Sequence, residues 1–154
     1  MSVLERYENI LLDPTALIVL HSREYKEFIP IIVAKLNAYT TIFSIIEYLS
    51  LISYYGRKPG KTIIDRLKEI YNIAEITNET MIKAASIRSD LLRHGVRAEL
   101  QDIIHVAICK EKGLILVTGD PERYEPMKKY GIEIIHIGEL INIIKRILDQ
   151  SKQV

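Results

Sequence analysis

Four carboxylates in this sequence are placed where they could do chemistry: Asp13, Glu47, Asp102 and Asp120. Asp13 ends the apolar run Ile10-Leu11-Leu12 and precedes Pro14, a residue suited to the first position of a helix. Asp120 repeats the pattern, with an apolar run before it and Pro121 after it. For both, an ordinary N-cap is the plain alternative, although a carboxylate with two oxygens can cap and bind at once. Glu47 is the only charged side chain between Lys35 and Arg57, in a stretch whose helical faces are all apolar. Such a helix is expected to be buried, and Glu47 with it, at least in part. A buried carboxylate needs a cation, a proton or a basic partner, so a salt bridge is its plain alternative. Asp102 shares a predicted helical face with His105, Val106 and Cys109. Its place in a first turn also complements the helix dipole without any further role.

The acids say more as a group. Two carboxylates about 4 Å apart repel by roughly 4 kcal/mol at an effective dielectric near 20, so several converge only with protons or a cation. A ligand set made of oxygen favours Mg²⁺ or Mn²⁺. Such an ion activates water near neutral pH and stabilises charge on a phosphoryl oxygen. The chemistry this predicts is phosphodiester hydrolysis.

The elements that must position these groups are legible in the apolar periodicity. Residues 10–12 read as a strand buried on both faces, and residues 15–20 as a short helix. Residues 25–36 read as helical, with Pro30 limiting the start. Thr40 or Thr41 is expected to cap a long helix to about Tyr55, and residues 56–60 form a Gly/Pro loop. Beyond it the pattern predicts a helix over 61–71, a strand over 73–77, and a helix from Asn78 ended by Gly95. A turn over 96–101 leads to a helix over 102–112 with Gly113 as its C-terminal glycine. A strand over 114–117, a helix over 122–129, a strand over 132–137 and a closing helix over 139–149 complete the chain. Residues 1–8 read as a polar lead-in. The expectation is a three-layer α/β/α fold with a mostly parallel sheet of four to five strands, in which the carboxyl ends of the strands carry the site.

Size and composition agree with one domain over residues 1–154. The chain is 48% hydrophobic and 27% charged, ordinary values for a globular protein. A net charge of +1 argues neither for nor against nucleic acid, and one cysteine excludes an internal disulfide framework and fits a reducing cytoplasm. No signal peptide is expected. Residues 36–56 have the length of a membrane span, but Glu47 at their middle would cost several kcal/mol in lipid, so no span is expected.

The four motifs L-L-D-P-T-A-L-I, S-I-I-E-Y-L, L-Q-D-I-I-H-V-A-I-C and G-L-I-L-V-T-G-D-P-E-R-Y occur in this order over nearly the whole chain. They resemble the four acidic motifs of the PIN domain, in particular the VapC-type toxin ribonucleases. The resemblance places the acids at Asp13, Glu47, Asp102 and Asp120, with Thr15 and Thr118 as accompanying hydroxyls. It implies a Mg²⁺- or Mn²⁺-dependent endoribonuclease, often a homodimer, with RNA as substrate and a small antitoxin whose tail covers the acidic pocket. On this resemblance Asp13, Asp102 and Asp120 would hold the metal directly or through water, Glu47 would orient or deprotonate the attacking water, and Thr15 or Thr118 would hold a water or a phosphate oxygen. Pro14 and Tyr54-Tyr55 depart from the usual pattern without removing an acid.

Other features carry less. Arg57, Lys58 and Lys61 read as solvated bases, and Arg93, His94 and Arg97, which precede the Asp102 helix, are better placed to meet an RNA phosphate. His105 reads as a packed helix histidine and Cys109 as a core residue. Two further PIN-type readings compete with a toxin: an RNA-processing endonuclease without an antitoxin, and a silent module that only binds RNA or protein. An aspartyl-phosphate phosphatase would want a second Asp where Thr15 stands.

Overall fold

The computed structural model describes residues 2–153. Its centre is a five-stranded parallel sheet in the order β3-β2-β1-β4-β5. The strands are β1 (Asn9–Leu12), β2 (Asn37–Thr40), β3 (Asn72–Ile73), β4 (Ile115–Thr118) and β5 (Ile134–His136). The helices are α1 (Val3–Arg6), α2 (Pro14–Leu20), α3 (Ile29–Lys35), α4 (Ile42–Tyr54), α5 (Lys61–Ile70), α6 (Asn78–Arg93), α7 (Leu100–Lys112) and α8 (Ile137–Lys152). A 3₁₀ turn, Lys26–Phe28, leads into α3, and a longer 3₁₀ segment, Pro121–Tyr130, joins β4 to β5.

Alternation along the strands builds two cores. Ile10, Leu12, Ile115 and Val117 point to one face, where α2 and α8 supply Leu17, Leu20, Leu140 and Ile144. Leu11 and Leu116 point to the other, against Leu91 of α6 and Ile103, Val106 and Ile108 of α7. β1 is central and its residues Ile10, Leu11 and Leu12 are fully buried, hence its unbroken apolar run. The three-layer expectation is met, with five strands and every pairing parallel.

The topology sets where a ligand can bind. The chain moves from β1 outward through β2 to β3, then returns to the other side of β1 for β4 and β5. The order therefore reverses between β1 and β4, and the crevice beyond the carboxyl ends of those strands is the switch point. Leu12 pairs with Val117 in this register, so Asp13 and Thr118 stand level at the crevice.

Several expectations need correction. The helix taken to begin near Thr40 is preceded by strand β2, which the sequence reading missed because Asn37-Ala38-Tyr39-Thr40 has no continuous apolar run. The strand expected over 73–77 is only Asn72–Ile73. α7 begins at Leu100, inside the expected turn. The segment after Asp120 is a 3₁₀ helix with Pro126 inside it, where a missing backbone N–H interrupts any long helical ladder. The polar lead-in contains the one-turn α1.

The largest correction concerns α4. It is not buried all round, and Glu47 is exposed. Ser44 and Ile45 face the core and α2, while Ile42 and Ile46 remain 51% and 57% exposed. Among the described residues no element covers that side of α4, so its apolar residues meet solvent within a single chain. No helix among the described residues is long and apolar enough to cross a membrane.

Candidate active site

Asp13 is the buried centre of the switch point. It is fully buried and accepts four hydrogen bonds. Thr15 Oγ1 (2.7 Å) and the Ala16 backbone N–H (2.9 Å) donate to Oδ1. Thr118 Oγ1 (2.6 Å) and the Tyr124 hydroxyl (2.9 Å) donate to Oδ2. The Ala16 bond makes Asp13 the N-cap of α2, so the plain cap reading holds and is only a quarter of what the carboxylate does.

The two threonines tie the strand ends together. Thr15 Oγ1 accepts from the Gly119 backbone N–H at 2.7 Å, and Thr118 Oγ1 accepts from the Asp120 N–H at 3.0 Å. A Cβ at position 119 would lie 3.2 Å from both Thr15 Cβ and Thr15 Oγ1, so glycine permits this close approach. The hydroxyls expected to hold a water or phosphate oxygen are thus committed to Asp13 and the β4 turn.

Asp102 enters from the first turn of α7 and is 3% exposed. His105, Val106 and Cys109 share its buried face, as the periodicity predicts. Arg123 grips its carboxylate through Nε to Oδ2 (3.0 Å) and Nη2 to Oδ1 (3.2 Å). Burial pushes the Asp102 carboxyl above its ordinary range, and the Arg123 guanidinium works against that shift. Asp13 nearby adds to the upward push.

Tyr124 links the two aspartates. Its hydroxyl donates to Asp13 and lies 3.4 Å from Asp102 Oδ1. Burial first, and then the two carboxylates, push the phenol far above its ordinary value, so it remains a donor. His105 Nδ1 stands 3.4 Å from the same hydroxyl, and its Nε2 stands 3.0 Å from Thr41 Oγ1. With the phenol proton on a carboxylate, His105 donates from Nδ1 and accepts at Nε2. That is a neutral imidazole, in keeping with a pKa lowered to about 4 by burial, Asp13 opposing the shift.

Asp120 and Glu47 lie outside this buried knot. Asp120 occupies the N-cap position of the 3₁₀ segment but makes no side-chain cap bond, and it is exposed. The plain cap reading therefore fails for Asp120. Its side chain lines a cavity of about 840 Å³ with Asp102, Arg97, Glu99 and Arg123. Glu47 lines an adjoining hollow with Phe43, Glu99 and Arg123. Asp13 and Asp102 are thus linked through Tyr124 at the switch point, Asp120 shares a cavity wall with Asp102, and Glu47 stands across Arg123 from them. Arg97, predicted as a phosphate contact, is on the wall of the larger cavity. No three acidic, histidine or cysteine side chains among the described residues converge tightly enough to enclose an ion unaided.

Sequence reasoning missed Arg123 and Tyr124. Their signal was proximity: they follow Asp120 by three and four residues, close enough for one short turn to carry all three into the crevice.

The PIN domain family model matches residues 10–130, and the chain belongs to that family. It is 31% identical over 143 residues to a VapC ribonuclease of Pyrococcus furiosus, covering 93% of this chain and 95% of that protein. Among solved structures, the fold matches DNA-bound VapBC from Salmonella typhimurium with a TM-score of 0.67 at 16% identity, over 84% of this chain and 98% of the other. VapBC-1 from nontypeable Haemophilus influenzae matches with a TM-score of 0.66, again at 16% identity and the same coverage.

Proposed function

We propose that this chain is a divalent-metal-dependent endoribonuclease, the toxin of a VapBC-type toxin–antitoxin pair, cleaving RNA in the cytoplasm. The observation that carries this reading is the pairing of Asp13 with Asp102 through Tyr124, at the rim of a cavity that also holds the uncapped Asp120. The similarity to a VapC ribonuclease over nearly the full length supports the substrate class.

The donor chemistry fits Mg²⁺ or Mn²⁺. The available side-chain oxygens belong to carboxylates, the one cysteine is buried, and His105 has both ring nitrogens engaged. Mg²⁺ keeps most of its waters and needs only one or two carboxylates alongside substrate phosphate, so a closed cage is not required. Asp102 and Asp120 would hold the ion, with Asp13 behind them as fixed negative charge. A bound ion would supply a water of lowered pKa and stabilise charge on the phosphate.

The chain's own groups do the rest. Asp13 aligns Thr15, Thr118 and Tyr124, and through them the β4 turn that carries Asp120. Glu47, exposed at the adjoining hollow, is free to take a proton from the attacking water. Arg97 on the cavity wall would meet an RNA phosphate.

An antitoxin partner is supported by surface as well as by kinship. An apolar groove between α6 and α7 is lined by Met81, Ala84, Ala85, Leu92, Leu100 and Ile104. It shares Arg88 and Leu92 with the cavity that holds Asp102 and Asp120, so a segment bound in the groove would run toward the carboxylates. Exposed Ile42 and Ile46 give a second copy an apolar surface on α4, in keeping with a homodimer. The test is cleavage of a structured RNA with Mn²⁺, with EDTA as control, by the wild type and by Asp13→Asn. Cleavage that needs metal and Asp13, blocked by a small protein encoded beside this chain, is expected. Undiminished cleavage by a folded Asp13→Asn protein would refute the mechanism.

A further inference from the structure

Arg123 stands in an unusual place for a surface arginine. Its guanidinium covers both oxygens of Asp102 and lines both the cavity that holds Asp120 and the hollow that holds Glu47. A positive charge of the protein's own thus sits among three of the acids named above. Arg88 and Arg97 line the same cavity, but Arg123 is the arginine bonded to Asp102. We propose that Arg123 is the resident cation of Asp102, and that a divalent ion binds this carboxylate by displacing the guanidinium. The inference rests on the metal-dependent reading above and adds the group with which the metal competes.

Three observations carry it. First, Asp102 is 3% exposed and Arg123 is its only basic partner among the described residues, so the ionised carboxylate requires a cation whichever one supplies it. Second, the grip occupies the oxygens a metal would use: Nε bonds Oδ2, while Nη2 and the Tyr124 hydroxyl face Oδ1. A divalent ion about 2.1 Å from either oxygen would lie against a guanidinium that cannot lose its charge. The two cations exclude each other electrostatically. Third, Arg123 is able to leave. Its side chain is a third exposed, Asp102 is its one hydrogen-bonded side-chain partner among the described residues, and a hollow lies on either side. Asp13, by contrast, is held by four donors and stays fixed.

A purely structural salt bridge and a displaceable cation predict opposite results for metal affinity. MnCl₂ is titrated calorimetrically into the full-length wild type and into Arg123→Gln, with thermal melts to establish folding. Removing the competitor is expected to lower the apparent Kd for Mn²⁺ roughly tenfold, as one charge-assisted pair is no longer broken on binding. Equal or weaker Mn²⁺ binding by folded Arg123→Gln, with the wild type binding normally, overturns the displacement and leaves the nuclease reading standing. Absence of Mn²⁺ binding in both proteins overturns the metal reading together with this one. A measurement on the wild type covers the case in which Arg123→Gln fails to fold. The Arg123 Nε–Hε resonance is followed by ¹⁵N NMR during addition of MgCl₂. Movement to a solvent-exposed position as Mg²⁺ saturates supports displacement, and an unmoved resonance at saturation overturns it.

Discussion

Tyr124→Phe removes one oxygen from the centre of the site and leaves the ring in place. Tyr124 is fully buried, so the lost hydroxyl leaves no room for a substitute water without rearrangement. Asp13 Oδ2 would keep Thr118 but lose its 2.9 Å donor, and His105 Nδ1 would lose a longer partner. A hydrogen bond to a charged acceptor is worth about 1.5–3 kcal/mol, so a loss near 2 kcal/mol is expected. In a domain of this size that lowers the melting temperature by roughly 4–8 °C. Asp13 and Asp102 also lose their common anchor, and a cleavage rate about tenfold lower, equivalent to ~1.4 kcal/mol, is expected at a temperature where the variant is folded. Differential scanning calorimetry and single-turnover cleavage check the two effects separately. Tyr130→Phe is the control, because that hydroxyl bonds Asp90 away from the site. A melting temperature and a rate both unchanged in Tyr124→Phe would refute the anchoring argument.

Asp120→Asn is expected to abolish cleavage while shifting stability by under about 0.5 kcal/mol, since the side chain is exposed and caps nothing. Urea unfolding beside the cleavage assay checks this, and a large destabilisation would contradict it. Asp13→Ala strands four donors in the core and is expected to cost about 3–5 kcal/mol, read as a lower urea midpoint. Stability is also expected to fall on acidification. Burial holds both His21 and His105 at about 4, below the usual 6.5, so the unfolded chain binds more protons between those values. Their contribution is complete above pH 6.5 and is lost as pH drops toward 4, at up to roughly 3 kcal/mol per pH unit. Equal unfolding free energies at pH 7 and pH 5 would refute this.

The fold was largely legible because its strongest signals are local. The unbroken Ile10-Leu11-Leu12 run marks a strand covered on both faces, and the structure buries all three residues completely. Gly113 ends α7 in the left-handed conformation, φ 69°, that glycine adopts without strain. Thr41 caps α4 through the Ser44 N–H, as its position before an apolar run predicts. β2 escaped because its pairing with β1 and β3 is non-local and its four residues carry no pattern of their own.

The exposure of α4 shows what periodicity cannot decide. Hydrophobicity on every face says that each face prefers cover, but the number of layers above a helix is a property of the whole fold. In this chain one side of α4 packs on α2 and the side bearing Glu47 meets solvent. The same distinction separates the acids. The sequence by itself determined that Asp13 and Asp120 follow apolar strands and that Asp102 lies on the buried face of its helix. Only the tertiary structure decided that Asp13 spends its oxygens on four internal donors, that Asp120 caps nothing, and that Arg123 covers Asp102. The physical reason is that side-chain type and spacing fix which face a group points to, whereas its partner depends on which distant element the sheet order brings alongside.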